Sequence, residues 1–345
     1  MSISSFIEAM PKIELHVHME GSIRPATLLK LAKRHEIEVP ADDVEGLREW
    51  YNFTDFDHFI DIYRVIVSCL KTYDDIETIA REFLIGQAEQ NIRYSEVTYT
   101  AFSQFYTSRL SFKGQMAAIN RARAWAAKHL DTHIGLVIDI PRIIPAIAER
   151  LVAHWCVSAM DDGVVALGLG GPEVGNPPER YKAAFARARR AGLPGVPHAG
   201  ETVGPESMWG ALNTLHAVRL GHGVRCLEDP ALVAELRRRQ IPLEVCPTSN
   251  VCLKVVPDLA SHPLPKLLEE GLYVTLNSDD PPMFNTTLTG EYQKSAEAFG
   301  FDADTIEKLV FNALHASFLP EVRKEEMERE MRADFKRLRV EHLGE

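Results

Sequence analysis

Two histidines separated by one residue, His16-Val17-His18, close a short apolar run near the N-terminus. In an extended strand, residues i and i+2 point to the same face. Both imidazoles are therefore presented together, as a donor pair that suits zinc or another borderline divalent metal. Three further motifs carry groups of the same kind. His198-Ala199-Gly200-Glu201 puts an imidazole at the end of one apolar run and a carboxylate a short turn later, free to face a substrate. Gly221-His222-Gly223 sets an imidazole between glycines, with backbone room for a ligand. Asn277-Ser278-Asp279-Asp280-Pro281 places two carboxylates side by side, which repel unless a cation or a bound proton compensates. Each motif alone also has an ordinary reading: satisfied structural histidines, a tight turn, a solvated Asp-Asp-Pro corner. Their joint occurrence describes ligands converging on one open metal site.

Such convergence needs a scaffold that brings distant strand ends together. The strand-like runs are Ile13 to His18, Tyr94 to Tyr99, Ile134 to Ile140, Val164 to Leu169, Val196 to His198, Val218 to His222, Leu243 to Cys246 and Tyr273 to Asn277. Helical periodicity follows or intervenes at Pro25 to His35, Phe56 to Leu70, Asp75 to Gln90, Phe112 to Leu130 and Asp229 to Arg239. Eight runs alternating with helices predict an α/β fold of the TIM-type (β/α)8 barrel, whose active sites lie at the C-terminal ends of the strands. Periodicity alone also admits an open doubly wound sheet, so the strand count carries the barrel reading. Glu45 to Leu70 exceeds a simple connection and predicts an extra helical lid after strand 1. Asp302 onward predicts charged helices packed on the outside of the barrel. No linker divides residues 1–345, so one domain is expected.

Composition removes several function classes. The net charge of −11 argues against a nucleic-acid partner. The short basic clusters Arg187 to Arg190 and Arg237 to Arg239 read as solvated helix faces. No apolar run approaches the ~20 residues that cross a bilayer, so no membrane partner is expected. Five scattered cysteines, without a C-x-x-C, point away from a disulfide framework and toward a reducing, cytoplasmic setting. Nor does Met1 to Met10 have the form of a signal peptide.

In order, H-x-H, G-G-P-E, H-A-G-E, G-H-G and S-D-D-P resemble the adenosine deaminase family of the amidohydrolase superfamily, from Pro11-Lys12-Ile13-Glu14-Leu15-His16 to Phe318-Leu319-Pro320. The resemblance implies one zinc ion per subunit on His16, His18, His198 and Asp279. It implies that Glu201 protonates N1 of a 6-aminopurine, that His222 orients the attacking water, and that Asp279 accepts the water's proton. It further implies that Asp280 meets N7 and the backbone N–H of Gly171 meets N3, with His18, Glu20, Phe56 and Phe59 bordering the substrate. The expected reaction is hydrolytic release of ammonia from a small-molecule aminopurine; any homo-oligomer is left open. Cytidine-deaminase-type zinc chemistry requires P-C-x-x-C, which is absent despite His18-Met19-Glu20. Two-metal amidohydrolases usually bridge their ions with a lysine at the end of strand four, where this chain has Gly168-Leu169-Gly170-Gly171-Pro172-Glu173. A different zinc amidohydrolase or a catalytically silent binding barrel are the non-deaminase alternatives.

Substrate motifs pull in three directions. Adenosine and 2′-deoxyadenosine are the leading expectation, supported by Gly221-His222. Glu20 replaces the aspartate of H-x-H-L-D-G and resembles relatives acting on adenine or on 5′-modified nucleosides such as 6-aminodeoxyfutalosine. Pro172 stands where Gly-Asp-Glu is usual, and Glu173-Val174-Gly175-Asn176-Pro177-Pro178 is similar to the adenine-deaminating branch. On the lid, Phe56, Phe59, Ile60 and Tyr63 share a stripe that either walls a sugar subsite or packs as core, and Trp50, Tyr51 and Phe53 extend it. The loop Leu253 to Val256 has no assignment.

Overall fold

Residues 2–345 are described by a computed structural model. Eight parallel strands pair in sequence order: β1 (Lys12–His18), β2 (Ile92–Tyr99), β3 (His133–Pro141), β4 (Val164–Gly170), β5 (Gly195–Ala199), β6 (Leu220–His222), β7 (Leu243–Val245) and β8 (Val274–Leu276). Every expected run falls on one of them, with ends displaced by one or two residues at most. Helices surround the strands, as in a TIM barrel. The β8–β1 seam is thin. There, His18 N–H donates to the Asp279 carbonyl at 2.8 Å and Asp279 N–H donates to the His16 carbonyl at 3.1 Å. Lower down, the Asn277 side chain stands in for a strand, its Oδ1 accepting from the N–H groups of Leu15 and His16 at 2.9 and 3.1 Å.

Strands β6 to β8 contain only three residues each because their ends turn at once into site loops. His222 and Asp279 adopt left-handed backbone, φ 60° and 64°, which is uncommon outside glycine although Asp and His reach it more readily than most. Such strain, worth ~1–3 kcal/mol per residue, persists only where the surroundings over-determine it and concentrates at functional sites.

Local chemistry sets the helix ends. Asp55 caps the lid helix Phe56–Ser68 through the His58 N–H, and Thr72 with Asp75 forms a capping box at Tyr73–Glu89. The insertion after β1 is two helices, Val44–Trp50 and Phe56–Ser68. Beyond Asp302 the expectation of charged outer helices holds only in part. Ala303–Ala316 buries Ile306, Leu309, Val310, Ala313 and Leu314 in the apolar cluster that also holds strand residues of β1 and β8. Only Glu321–His342 is strongly charged, and even it buries Met327, Met331, Phe335 and Leu338. Phe335 meets Phe6 of the N-terminal helix Ile3–Ala9, their ring centroids 5.9 Å apart. All five cysteines are unpaired. Among the described residues no helix is long and apolar enough to cross a membrane.

Candidate active site

At the C-terminal ends of the strands, nitrogen and oxygen atoms crowd around one point. His16 Nε2 lies 3.4 Å and His18 Nε2 3.3 Å from Asp279 Oδ1, and the two Nε2 atoms of His18 and His198 are 3.2 Å apart. A tetrahedral site with ~2.0–2.1 Å bonds has edges of roughly 3.3 Å. His16 Nε2 is buried without a hydrogen-bond partner, and the facing Nε2 atoms of His18 and His198 stand where they can share one proton or ligate one cation. The four expected ligands, from β1, β5 and the loop after β8, are linked by these three contacts and suit one divalent metal ion by donor type; within 4.8 Å of one another the donor atoms group as His16, His198 and His222 and as His18, Asp279 and Asp280.

The ligands are held from behind. His16 Nδ1 donates to Glu244 Oε2 at 2.9 Å. Glu244 Oε1 accepts from Arg219 at 2.6 Å, and Arg219 also pairs with Glu96 at 2.6 Å; all three are buried. A histidine that donates its second ring N–H to a carboxylate keeps the other nitrogen free for a metal. Asp279 Oδ2 accepts from the Ser249 hydroxyl at 2.7 Å. Glu173 fixes the turn after His198: its carboxylate accepts from the N–H groups of Gly200, Glu201, Thr202 and Val203 and from the Ser207 hydroxyl. Burial pushes the Glu173 carboxyl up, but the Arg142 charge and these donors outweigh it and hold it below the ordinary range.

On the open side, Glu201 Oε1 lies 3.7 Å from His222 Nε2, which lies 4.0 Å from Asp279 Oδ2. Burial, then the charge of Asp279, holds the Glu201 carboxyl well above its usual range, so it keeps a proton to give. His222 is pushed down to about 4 by burial and by His16, so it stays neutral. Burial and the neighbouring Asp279 likewise raise Asp280. Asp280 needs Gly21 beside it, because a Cβ there would stand 1.6 Å from its Oδ1.

The cleft above this point is lined by His18, His198, Glu201, His222, Asp279 and Asp280, by Gly170 and Gly171, and by Phe56, Phe59, Ile60 and Tyr63 of the lid helix. Leu253, from the unassigned loop, joins them. Tyr51 and Phe53 form a second row behind Phe59. Glu20 stands apart. It is fully buried, accepts from the Thr100 N–H at 2.9 Å and, at 3.5 Å, from the Tyr63 hydroxyl, and does not line the cleft. Burial raises its carboxyl to about 7.

Sequence reasoning missed Asp139 and Arg142 in the cleft wall and Glu244 and Ser249 behind the ligands, and it named Asn277 within its motif without foreseeing its bonds to β1. Asp139 is the single charged residue in the run Ile134 to Ile140 and lies near its C-terminal end, which was the available signal. Burial, against the opposing positive charge of His18, pushes its carboxyl up to about 6.

The profile of the adenosine deaminase family matches residues 11–333. The chain belongs to the adenosine deaminase family. An aminodeoxyfutalosine deaminase of Streptomyces coelicolor is 42% identical over 320 residues, which span 92% of this chain and 82% of that protein. The crystal structure of an adenine deaminase from Arthrobacter aurescens superposes with a TM-score of 0.90 at 34% identity, covering 95% of this chain and 100% of the other. An amidohydrolase from Burkholderia ambifaria, solved with bound Zn, shares the fold at a TM-score of 0.92 and 24% identity, over 100% and 96% of the two chains. This deaminase is therefore a hydrolase that acts on C–N bonds of aminopurine-like compounds, built on a TIM barrel.

Proposed function

We propose that the deaminase removes ammonia from C6 of a 6-aminopurine nucleoside extended at its 5′ end, of which 6-aminodeoxyfutalosine is the example its relatives offer. The observation that carries this reading is the shape of the site. The cleft over the metal ligands encloses about 140 Å³, below the ~300–1,000 Å³ typical of small-molecule sites. A groove of about 1010 Å³ adjoins it; Tyr63, Arg64, Ser103, Pro141 and Ile143 line both. A free base has no use for the groove, whereas a nucleoside extended beyond its sugar does. Adenosine and 2′-deoxyadenosine, first in expectation from sequence, give way here because the nearby relatives act on other substrates.

Within this reading, one zinc ion is held by His16, His18, His198 and Asp279; when bound it lowers the pKa of a coordinated water toward ~7. The chain's own groups do the rest. Glu201 gives its proton to N1 and removes the charge that would build on the ring during attack at C6, worth ~10²–10⁴-fold. Neutral His222 and the carboxylate of Asp279 orient the water, and Asp279 takes its proton. Asp280, kept protonated, donates to N7, and the Gly171 N–H donates to N3. Phe56 and Phe59 exclude water from above.

The test is ammonia release by the zinc-loaded enzyme on 6-aminodeoxyfutalosine, adenosine, 2′-deoxyadenosine, adenine and AMP, ranked by kcat/KM. The extended nucleoside is expected to lead. If adenine leads, the alternative favoured by the Glu173 to Pro178 stretch replaces this one; if plain adenosine leads, the groove has no part in the substrate.

A further inference from the structure

We propose that Asp139 is a substrate-binding residue that accepts a hydrogen bond from the amino group on C6 and holds that group as it departs as ammonia. The proposal rests on the reading of the site as a 6-aminopurine deaminase. Asp139 lines the cleft near the end of β3 and is 3% exposed. Its Oδ1 is buried with no partner among the described residues. A carboxylate out of water without a donor is costly, and a native chain keeps one where a ligand or function supplies the missing partner.

The neighbouring strand has made room for it. A Cβ on Gly168 would stand 2.0 Å from Asp139 Oδ1, and a Cβ on Gly170 would stand 2.2 Å from Oδ2. These two glycines of β4 form a slot for the carboxylate. The same Cβ position on Gly170 lies 3.6 Å from His198 Cε1, which sets the carboxylate beside a ring assigned to the metal. Arg142, also in the cleft wall, directs two guanidinium nitrogens to the carbonyls of Asn176 and His198, both at 2.6 Å, and makes no hydrogen bond to Asp139.

A donor on the substrate would complete the hydrogen bonding of Asp139. A 6-aminopurine nucleoside offers sugar hydroxyls at one end and the exocyclic amine at the other. The sugar end faces the lid side chains Phe56, Phe59 and Tyr63. Asp139 lies at the metal end, where C6 must sit to meet the attacking water, so the amine is the group it meets. In the overall step water adds its oxygen to C6, N1 gains one proton and the amine gains the other. The C6–N bond then breaks with its electron pair on nitrogen, leaving a C6 carbonyl, an N1–H and ammonia. A carboxylate against the amine favours the protonated, departing form electrostatically.

The experiment compares Asp139→Asn and Asp139→Ala with the parent enzyme on two substrates sharing the same N9 group, one 6-amino and one 6-chloro. Chloride departs without a proton and donates no hydrogen bond. The N9 group is whichever the parent enzyme handles best, so a free-base preference still permits the comparison. For both variants the 6-amino kcat/KM is expected to fall by roughly 10–100-fold while the 6-chloro value holds. Zinc content should be unchanged, and the melting temperature equal or higher, since an unpaired buried charge has gone. Equal losses on both substrates, no loss on the amine, or a drop in zinc content or melting temperature in both variants would each overturn the role. Inactivity of the parent enzyme on every 6-amino compound would instead sink the deamination reading beneath it.

Discussion

Glu201 can act as an acid only because of where it is buried. A glutamic acid in water has lost its proton well below neutral pH. Here burial and the charge of Asp279 make ionisation unfavourable. Replacing it by glutamine keeps the size and the hydrogen-bonding edge but removes the transferable proton. Glu201→Gln is expected to bind zinc stoichiometrically and to lose ~10²–10⁴-fold in kcat, measured by metal analysis beside ammonia release; full activity would take the acid role from this residue. At this scale the sequence was legible where chemistry coincided with a strand end, as at His18, His198 and His222. It was not legible where a polar residue acts from inside an apolar run. Glu244 sits in β7 between Leu243 and Val245, and nothing local distinguishes a carboxylate that orients His16 from one that is merely tolerated. Glu20 shows the converse. Its motif suggested a substrate contact, yet two cleft-lining residues, Thr100 and Tyr63, take its oxygens.

Elements hold these residues in place, and the lid depends on how the helix after it begins. Asp75 is the N3 residue of Tyr73–Glu89, and one carboxylate serves four partners: the N–H groups of Lys71 and Thr72, Arg34 at 2.8 Å and His35 at 2.8 Å. It thereby ties the start of this helix to the end of Pro25–Arg34. Burial raises its carboxyl, but the backbone and side-chain donors outweigh that and bring it below its ordinary value. A depressed carboxyl contributes stability that is fully present above the unfolded pKa, near ~4, and fades as pH falls through the lower folded value. Asp75→Ala is expected to lower unfolding free energy by about 1–3 kcal/mol at pH 7, with the gap to the parent closing below pH ~4. Denaturant melts at pH 7 and pH 3.5 check both parts, and a gap that widens in acid would show that the ionised form is not what stabilises. This junction was partly readable: the helix was expected from Asp75, two residues late, because propensity cannot show which acid folds back as a cap.

For the molecule as a whole, the barrel is closed where it is chemically busiest. Along β1 to β8 neighbouring strands share ladders, but β8 meets β1 through two backbone hydrogen bonds at Asp279 and the side chain of Asn277. The strand count read from sequence predicted a barrel. It could not predict this seam, because closure depends on left-handed backbone at Asp279 and on a side chain acting as a strand. A cation held by His16 and His18 on one side of the seam and Asp279 on the other would cross-link it, besides neutralising the buried carboxylate of Asp279. A ligand that binds only the folded state at 1,000 times its Kd adds about 4 kcal/mol, so chelation is expected to lower the melting temperature by several degrees. Zinc should restore it. Amide exchange should quicken first at His18 and Asp279, ahead of the β2–β3 ladder. If the chelated protein, shown free of metal, melts at the same temperature and exchanges evenly, the barrel closes without help and the metal serves chemistry alone.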